Sequence, residues 1–139
     1  MRRAEIYAFL RGHRLAVIAT VNPAVSPQAA VIGIAATETL HIIFDTLSTS
    51  RKYANLRADP RAALAIGWDA AQTVQVEGIA EFPAGPDLDA CNRAYFAVWP
   101  DGPERERWPD IAYIRIRPRW LRYSDCGETP PKIEELTLP

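Results

Sequence analysis

Histidine and cysteine are scarce in this chain, and their scarcity removes whole classes of chemistry. Only two of each occur among 139 residues. Cys91 and Cys126 lie far apart, neither in a Cys-x-x-Cys pair nor near a histidine at zinc-ligand spacing, so no structural metal is expected. Two free thiols suit a reducing cytoplasm, although spacing alone leaves a single disulfide open. His41 falls inside a strand pattern with no serine and carboxylate beside it, which reads as structural and gives acyl transfer no support. Charge of one sign is missing as well. The 16 basic and 17 acidic residues nearly cancel, leaving no global field to hold nucleic acid or an anionic membrane surface. No stretch approaches the roughly 18 apolar residues of a membrane span. The opening Met1-Arg2-Arg3 has the charge of an export signal, but Arg11, His13 and Arg14 interrupt the apolar residues that follow. Internal repeats and low-complexity segments are absent.

What remains, with 48% hydrophobic residues, is enough for one domain with a real core. Residues 1–126 read as that domain and residues 127–139 as a C-terminal tail of unspecified structure. Ile6, Phe9 and Leu10 stand at helical spacing within residues 3–11, and Gly12 stops the helix. Residues 15–21 form a buried strand closed by Asn22-Pro23. Residues 29–35 are expected to pair with residues 40–44 in a hairpin across Thr37-Glu38-Thr39. A helix over residues 50–58 must end before Asp59-Pro60, because the residue preceding proline is pushed out of the helical region. Residues 61–68 and 73–82 predict a second hairpin with a bulge at Gly78. A helix over residues 86–98 breaks at Pro100-Asp101-Gly102-Pro103, and residues 111–117 alternate as a strand that residues 120–123 continue. The order leaves no room for repeated βαβ crossovers. A mainly β fold follows, a closed antiparallel barrel with peripheral helices.

Arg51 and Lys52 open the helix of residues 50–58, the electrostatically wrong end for cations. A helix N-terminus already carries about half a positive charge and several unpaired N–H groups. An anion would resolve the conflict, and a phosphate fits, with hydroxyls of Thr46, Thr49 and Ser50 as further donors. Cations on a solvated helix face are the plainer reading of the same residues.

Phe44-Asp45-Thr46 through Ser50-Arg51-Lys52, followed by Asp59-Pro60-Arg61, resembles the pyridoxamine 5′-phosphate oxidase superfamily. Gly78-Ile79-Ala80 resembles the end of a later strand in that family, and the likeness covers residues 15–123. It implies an FMN-binding split β-barrel, a homodimer with each flavin in a groove between subunits, and a small-molecule substrate. Thr46, Arg51 and Lys52 would contact the phosphate or ribityl chain, with Ser50 at the helix start. Gln28, Ala29, Ala30 and Val31, continuing to Ile32, would present backbone to the flavin ring.

Departures from the family pattern are as informative. Ala30 and Ala35 stand where the vitamin B6 oxidases carry an arginine and a lysine, and Thr73 stands at a flavin-contacting glutamine, with Gln72 and Gln75 beside it. The C-terminal Arg-x-His of those enzymes has no counterpart. Losing such cations forfeits about 1.5–3 kcal/mol per charge-assisted hydrogen bond, which argues against oxidation of pyridoxamine phosphate. The resemblance thus points to a flavin-dependent oxidoreductase with another substrate. Alternatives are a non-catalytic flavin or haem binder, a reductase using the deazaflavin F420, or a dimeric scaffold without cofactor. Asp45 should face solvent, opposite Phe44 and Thr46. Tyr53 should pack on the barrel, and the four tryptophans in core or interface. Residues 104–107, with alternating charge, should form a solvated face.

Overall fold

The computed structural model describes residues 2–139. The elements run α1 (Arg3–Arg11), β1 (Leu15–Val21), β2 (Pro27–Gly33), β3 (Ala35–Ala36), β4 (Ile42–Leu47), α2 (Arg51–Ala58), β5 (Arg61–Ile66) and β6 (Gln72–Glu81). There follow α3 (Gly85–Val98), α4 (Gly102–Arg105), β7 (Ile111–Asp125) and β8 (Lys132–Thr137). One antiparallel sheet follows the path β2-β1-β5-β6-β7-β4-β3, with β8 added to β7. Its two ends, β2 and β3, are joined through Ile34 alone, so chain continuity curls the sheet round on itself. This is the split barrel expected, mainly β with helices at its periphery.

Alternation along the strands builds the core. Ala16 and Ile18 of β1, Leu64 and Ile66 of β5, and Val74 and Val76 of β6 point inward and are buried, while their sequence neighbours face out. Strand β7 is long enough to serve three partners. It pairs with β6 through Arg115–Asp125, with β4 through Ile111–Ile116 and with β8 through Trp120–Asp125. A register shift between Glu77 and Gly78 is the expected bulge, and a Cβ at Gly78 would lie 2.6 Å from the Arg117 carbonyl oxygen.

The first hairpin differs from expectation. Strand β2 pairs along its whole length with β1, and only Ala35 and Ala36 pair with β4, opposite Ile43 and Ile42. The reason lies in the turn between β1 and β2, where Asn22 Oδ1 accepts from the Ala24 (3.0 Å) and Ser26 (2.9 Å) N–H groups and closes a tight connection. The tail after Gly127 supplies β8, for which the sequence carried no strand signal. Asp45 also departs from expectation. Its side chain is 15% exposed and accepts from Tyr95 Oη (3.1 Å) and Arg105 Nε (2.8 Å). Arg105, drawn from the run expected to be solvated, further binds Asp101 (2.7 Å). Trp99 packs against the core and Trp120 is half-buried, but Trp68 and Trp108 stand well exposed.

Helix α3 docks where β2 meets β3. Trp99 Nε1 donates to the Ile34 carbonyl (3.0 Å) and Tyr95 Oη to the Gly33 carbonyl (3.3 Å). A Cβ at Gly33 would meet the Trp99 ring at 2.6 Å, so glycine there is a steric requirement.

Candidate functional site

Strand β4 ends at Leu47 and the chain turns through residues 48–50 into α2. Ser50 caps that helix, its Oγ accepting from the Tyr53 N–H (3.3 Å) and lying 3.0 Å from Thr46 Oγ1. The α4–β7 connection braces the turn, as the Ser48 N–H donates to the Asp110 carbonyl (2.7 Å). No acidic residue occupies the first turn of α2. Among the described residues neither Arg51 nor Lys52 has a hydrogen bond or ion pair, so both cations remain available beside the helix N-terminus.

The two cations line a cleft of about 210 Å³ together with Thr20, Gln28, Ala29 and Ala30. Five of the eight residues singled out from the sequence therefore meet in one place: Gln28, Ala29, Ala30, Arg51 and Lys52. Thr46 is buried behind the helix cap and joins them only through Ser50. Val31 points the other way, 63% exposed on the outer face of β2. Ala35 is buried in the β3–β4 pair and does not line the cleft.

One contributor had no sequence signal beyond its awkward place in a helix. Asn55 is buried in α2, and its Nδ2 donates to Thr20 Oγ1 (3.0 Å) and to Gln28 Oε1 (2.7 Å). With its carbonyl oxygen engaged, Gln28 keeps its amide N–H groups for the cleft. The cleft thus offers two fixed cations, amide donors and a strand of small side chains that exposes its backbone. Among the described residues that line it there is no histidine, cysteine, methionine or tyrosine, and a phosphate and a polar chain fit this donor set. A cleft of this size encloses less than a typical cofactor site of about 300–1,000 Å³, so the remainder of any larger ligand must lie along the open face of β2.

Elsewhere, Cys91 is buried and Cys126 exposed, and both are free thiols. Among the described residues no group of histidine, cysteine and acidic side chains could hold a metal ion, and no helix is long and apolar enough to cross a membrane.

Residues 3–125 match the family model described as pyridoxamine 5′-phosphate oxidase. A pyridoxine/pyridoxamine 5′-phosphate oxidase from Bordetella avium is 36% identical over 122 residues, covering 83% of this chain and 56% of that protein. The chain therefore spans little more than half the length of that curated relative. Among solved structures, a haem-binding protein from Mycobacterium smegmatis superposes with a TM-score of 0.84 at 20% identity, covering 99% of this chain and 58% of the other. A pyridoxamine 5′-phosphate oxidase-related, FMN-binding protein from Nostoc punctiforme gives 0.67 at 13% identity, covering 99% and 93%. Likeness at these identities concerns the fold.

Proposed function

The chain belongs to the pyridoxamine 5′-phosphate oxidase family, and on that footing we propose that it binds FMN and acts as a flavin-dependent oxidoreductase on a small molecule other than pyridoxamine phosphate. The observation that carries this reading is the unpaired cation couple, Arg51 and Lys52, at a helix N-terminus with no acid of its own, opening into the cleft with Gln28. Arg51 and Lys52 hold the phosphate, and Ser50 and Thr46 stiffen the turn beneath it. Asn55 orients Gln28, and residues 28–31 present backbone groups to the ring edge. The chemistry supplied with FMN in place is two-electron transfer, as hydride, between substrate and flavin. The protein's part is to bind and orient, and no side chain here is assigned as acid or base.

The cleft needs a second wall. Ala29 and Val31 of β2, Val17 and Ala19 of β1, and Ala63 of β5 form an apolar patch on the outer sheet face, with Val17 opposite Val31, Ala19 opposite both Ala29 and Ala63, and Glu77 bordering it opposite Ala63. In the proposed dimer a second copy of the chain covers this face, and the flavin groove runs round the edge strand β2 between the two subunits. The free thiols suit a reducing compartment, and the cytoplasm is the proposed location.

The test is FMN affinity by flavin fluorescence. Charge-assisted hydrogen bonds contribute about 1.5–3 kcal/mol each, so Arg51→Ala with Lys52→Ala should weaken binding by roughly 100-fold or more. Unchanged affinity rejects the assignment. The same cations would serve the phosphate-bearing chain of F420, and displacement of FMN by F420 in a competition titration would reassign the cofactor. Retention of haem after purification, with no flavin, would overturn both.

A further inference from the structure

We propose that the cleft lined by Arg51 and Lys52 is selective for a fully ionised tetrahedral dianion, a phosphate monoester without its last proton, and that Asn55 imposes this selectivity by turning Thr20 and Gln28 into donors. This selectivity rests on the phosphate reading of the cleft and adds to it the ionic form that the cleft accepts. Thr20 becomes a fourth contact to the anion.

Asn55 and Thr20 are each only 4% exposed. The Asn55 Nδ2 donates both to Thr20 Oγ1 of β1 (3.0 Å) and to Gln28 Oε1 of β2 (2.7 Å). An amide nitrogen accepts nothing, so both oxygens face it as acceptors, and the hydrogens left over are the Thr20 O–H and the two Gln28 N–H. The Thr20 hydroxyl has no other hydrogen-bond partner among the described residues. Thr20 and Gln28 both line the cleft. Two neutral donors are thereby locked side by side on one nitrogen.

The charged groups that face the cleft are Arg51 and Lys52, both from α2, and among the described residues β1 and β2 present no ionisable side chain to it. Its four polar side chains are therefore two cations and two neutral donors. No carboxylate, imidazole or outward-turned side-chain carbonyl stands among them. A tetrahedral anion with every free oxygen ionised can accept from all four. One that keeps a proton brings a donor of its own, and its P–O–H meets only other donors, an arrangement that native interiors avoid. Asn55 is thus a positioning residue. Without its amide, Gln28 is free to rotate and present its carbonyl as the missing acceptor.

The experiment titrates the full chain with FMN and, separately, with riboflavin, which has the same ring and no phosphate, following flavin fluorescence. A phosphate monoester takes up its second proton at about pH 6, so between about pH 8 and about pH 5 FMN should weaken roughly tenfold while riboflavin changes by less than about twofold. Sulfate, which carries no proton at either pH, should displace FMN at both where chloride of equal ionic strength does not. Thr20→Val keeps the shape and removes one donor, and should weaken FMN by about fivefold or more at the higher pH while sparing riboflavin. Asn55→Leu should cut the tenfold pH effect to less than about threefold. It leaves both cations in place, so a pH effect owed to charge alone would survive it. FMN affinity independent of pH, riboflavin weakening in step with FMN, no displacement by sulfate, an unchanged FMN-to-riboflavin ratio in Thr20→Val, or a full pH effect in Asn55→Leu overturns the proposal. The pH series on the unsubstituted chain decides even where a variant fails to fold. FMN affinity that ignores loss of Arg51 and Lys52 refutes the phosphate site itself, whereas pH-independent binding that still needs those cations refutes only the selectivity.

Discussion

His41 lies half-buried just before β4 with its Nδ1 2.6 Å from Thr39 Oγ1. Burial first and the Arg115 guanidinium second lower its pKa below the ordinary 6.5; Arg117 acts in the same direction, while Glu81 and Asp87 oppose it. A histidine whose pKa is lower when folded binds fewer protons in the folded state than in the unfolded one. Its stabilising contribution is therefore complete above 6.5 and is lost as the pH falls through the lowered value. Melting curves from about pH 7.5 to about pH 5 should show falling stability on the acid side, and His41→Gln should flatten that slope. Parallel slopes in the two proteins would refute the attribution. The same scale explains why some site residues were legible and others were not. Arg51 and Lys52 announce themselves because cations at a helix start conflict with the dipole. Asn55 announces nothing, since its role depends on Thr20 and Gln28, which the fold brings to it from other strands.

At the scale of elements, the unforeseen contacts cluster on α3 and α4. Strand alternation correctly turns Asp45 away from Thr46, but no periodicity reveals that Tyr95 and Arg105 wait on that side. The two side chains of the Asp45–Arg105 pair are 15% and 19% exposed. Arg105→Ala strands a largely desolvated carboxylate, which should lower stability by roughly 2–3 kcal/mol, below the cost for fully buried pairs because some solvent reaches both groups. Chemical denaturation measures it, and a change under half a kcal/mol would show the pair to be a solvated contact. Helices and most strands were legible because their apolar spacing is local. The β1–β2 pairing was misread because Asn22 specifies its turn through side-chain bonds that a Pro-containing loop conceals. Strand β8 was invisible because its exposed, charged sequence takes its strand form from the half of β7 that β4 leaves unpaired.

For the molecule as a whole, the proposed dimer carries a quantitative expectation. Val31, 63% exposed, projects from the edge strand β2 on the outer face that the proposed dimer covers. Val31→Glu buries a charge from each subunit in the proposed contact, an arrangement that costs several kcal/mol. Sedimentation should show a dimer for the unsubstituted chain and a monomer for the variant, with FMN affinity falling alongside because the groove loses its second wall. A variant that remains dimeric with full affinity would place the interface elsewhere.

Strand β4 has its six-residue partner in Ile111–Ile116 and otherwise pairs only with two residues of β3. As the polypeptide leaves the ribosome, the segment carrying Thr46 and the Ser50 turn must wait, without lateral support, until some sixty further residues have been synthesised. The proposed phosphate grip would consequently be among the last features to mature, and cofactor loading would await chains whose barrel has already shut.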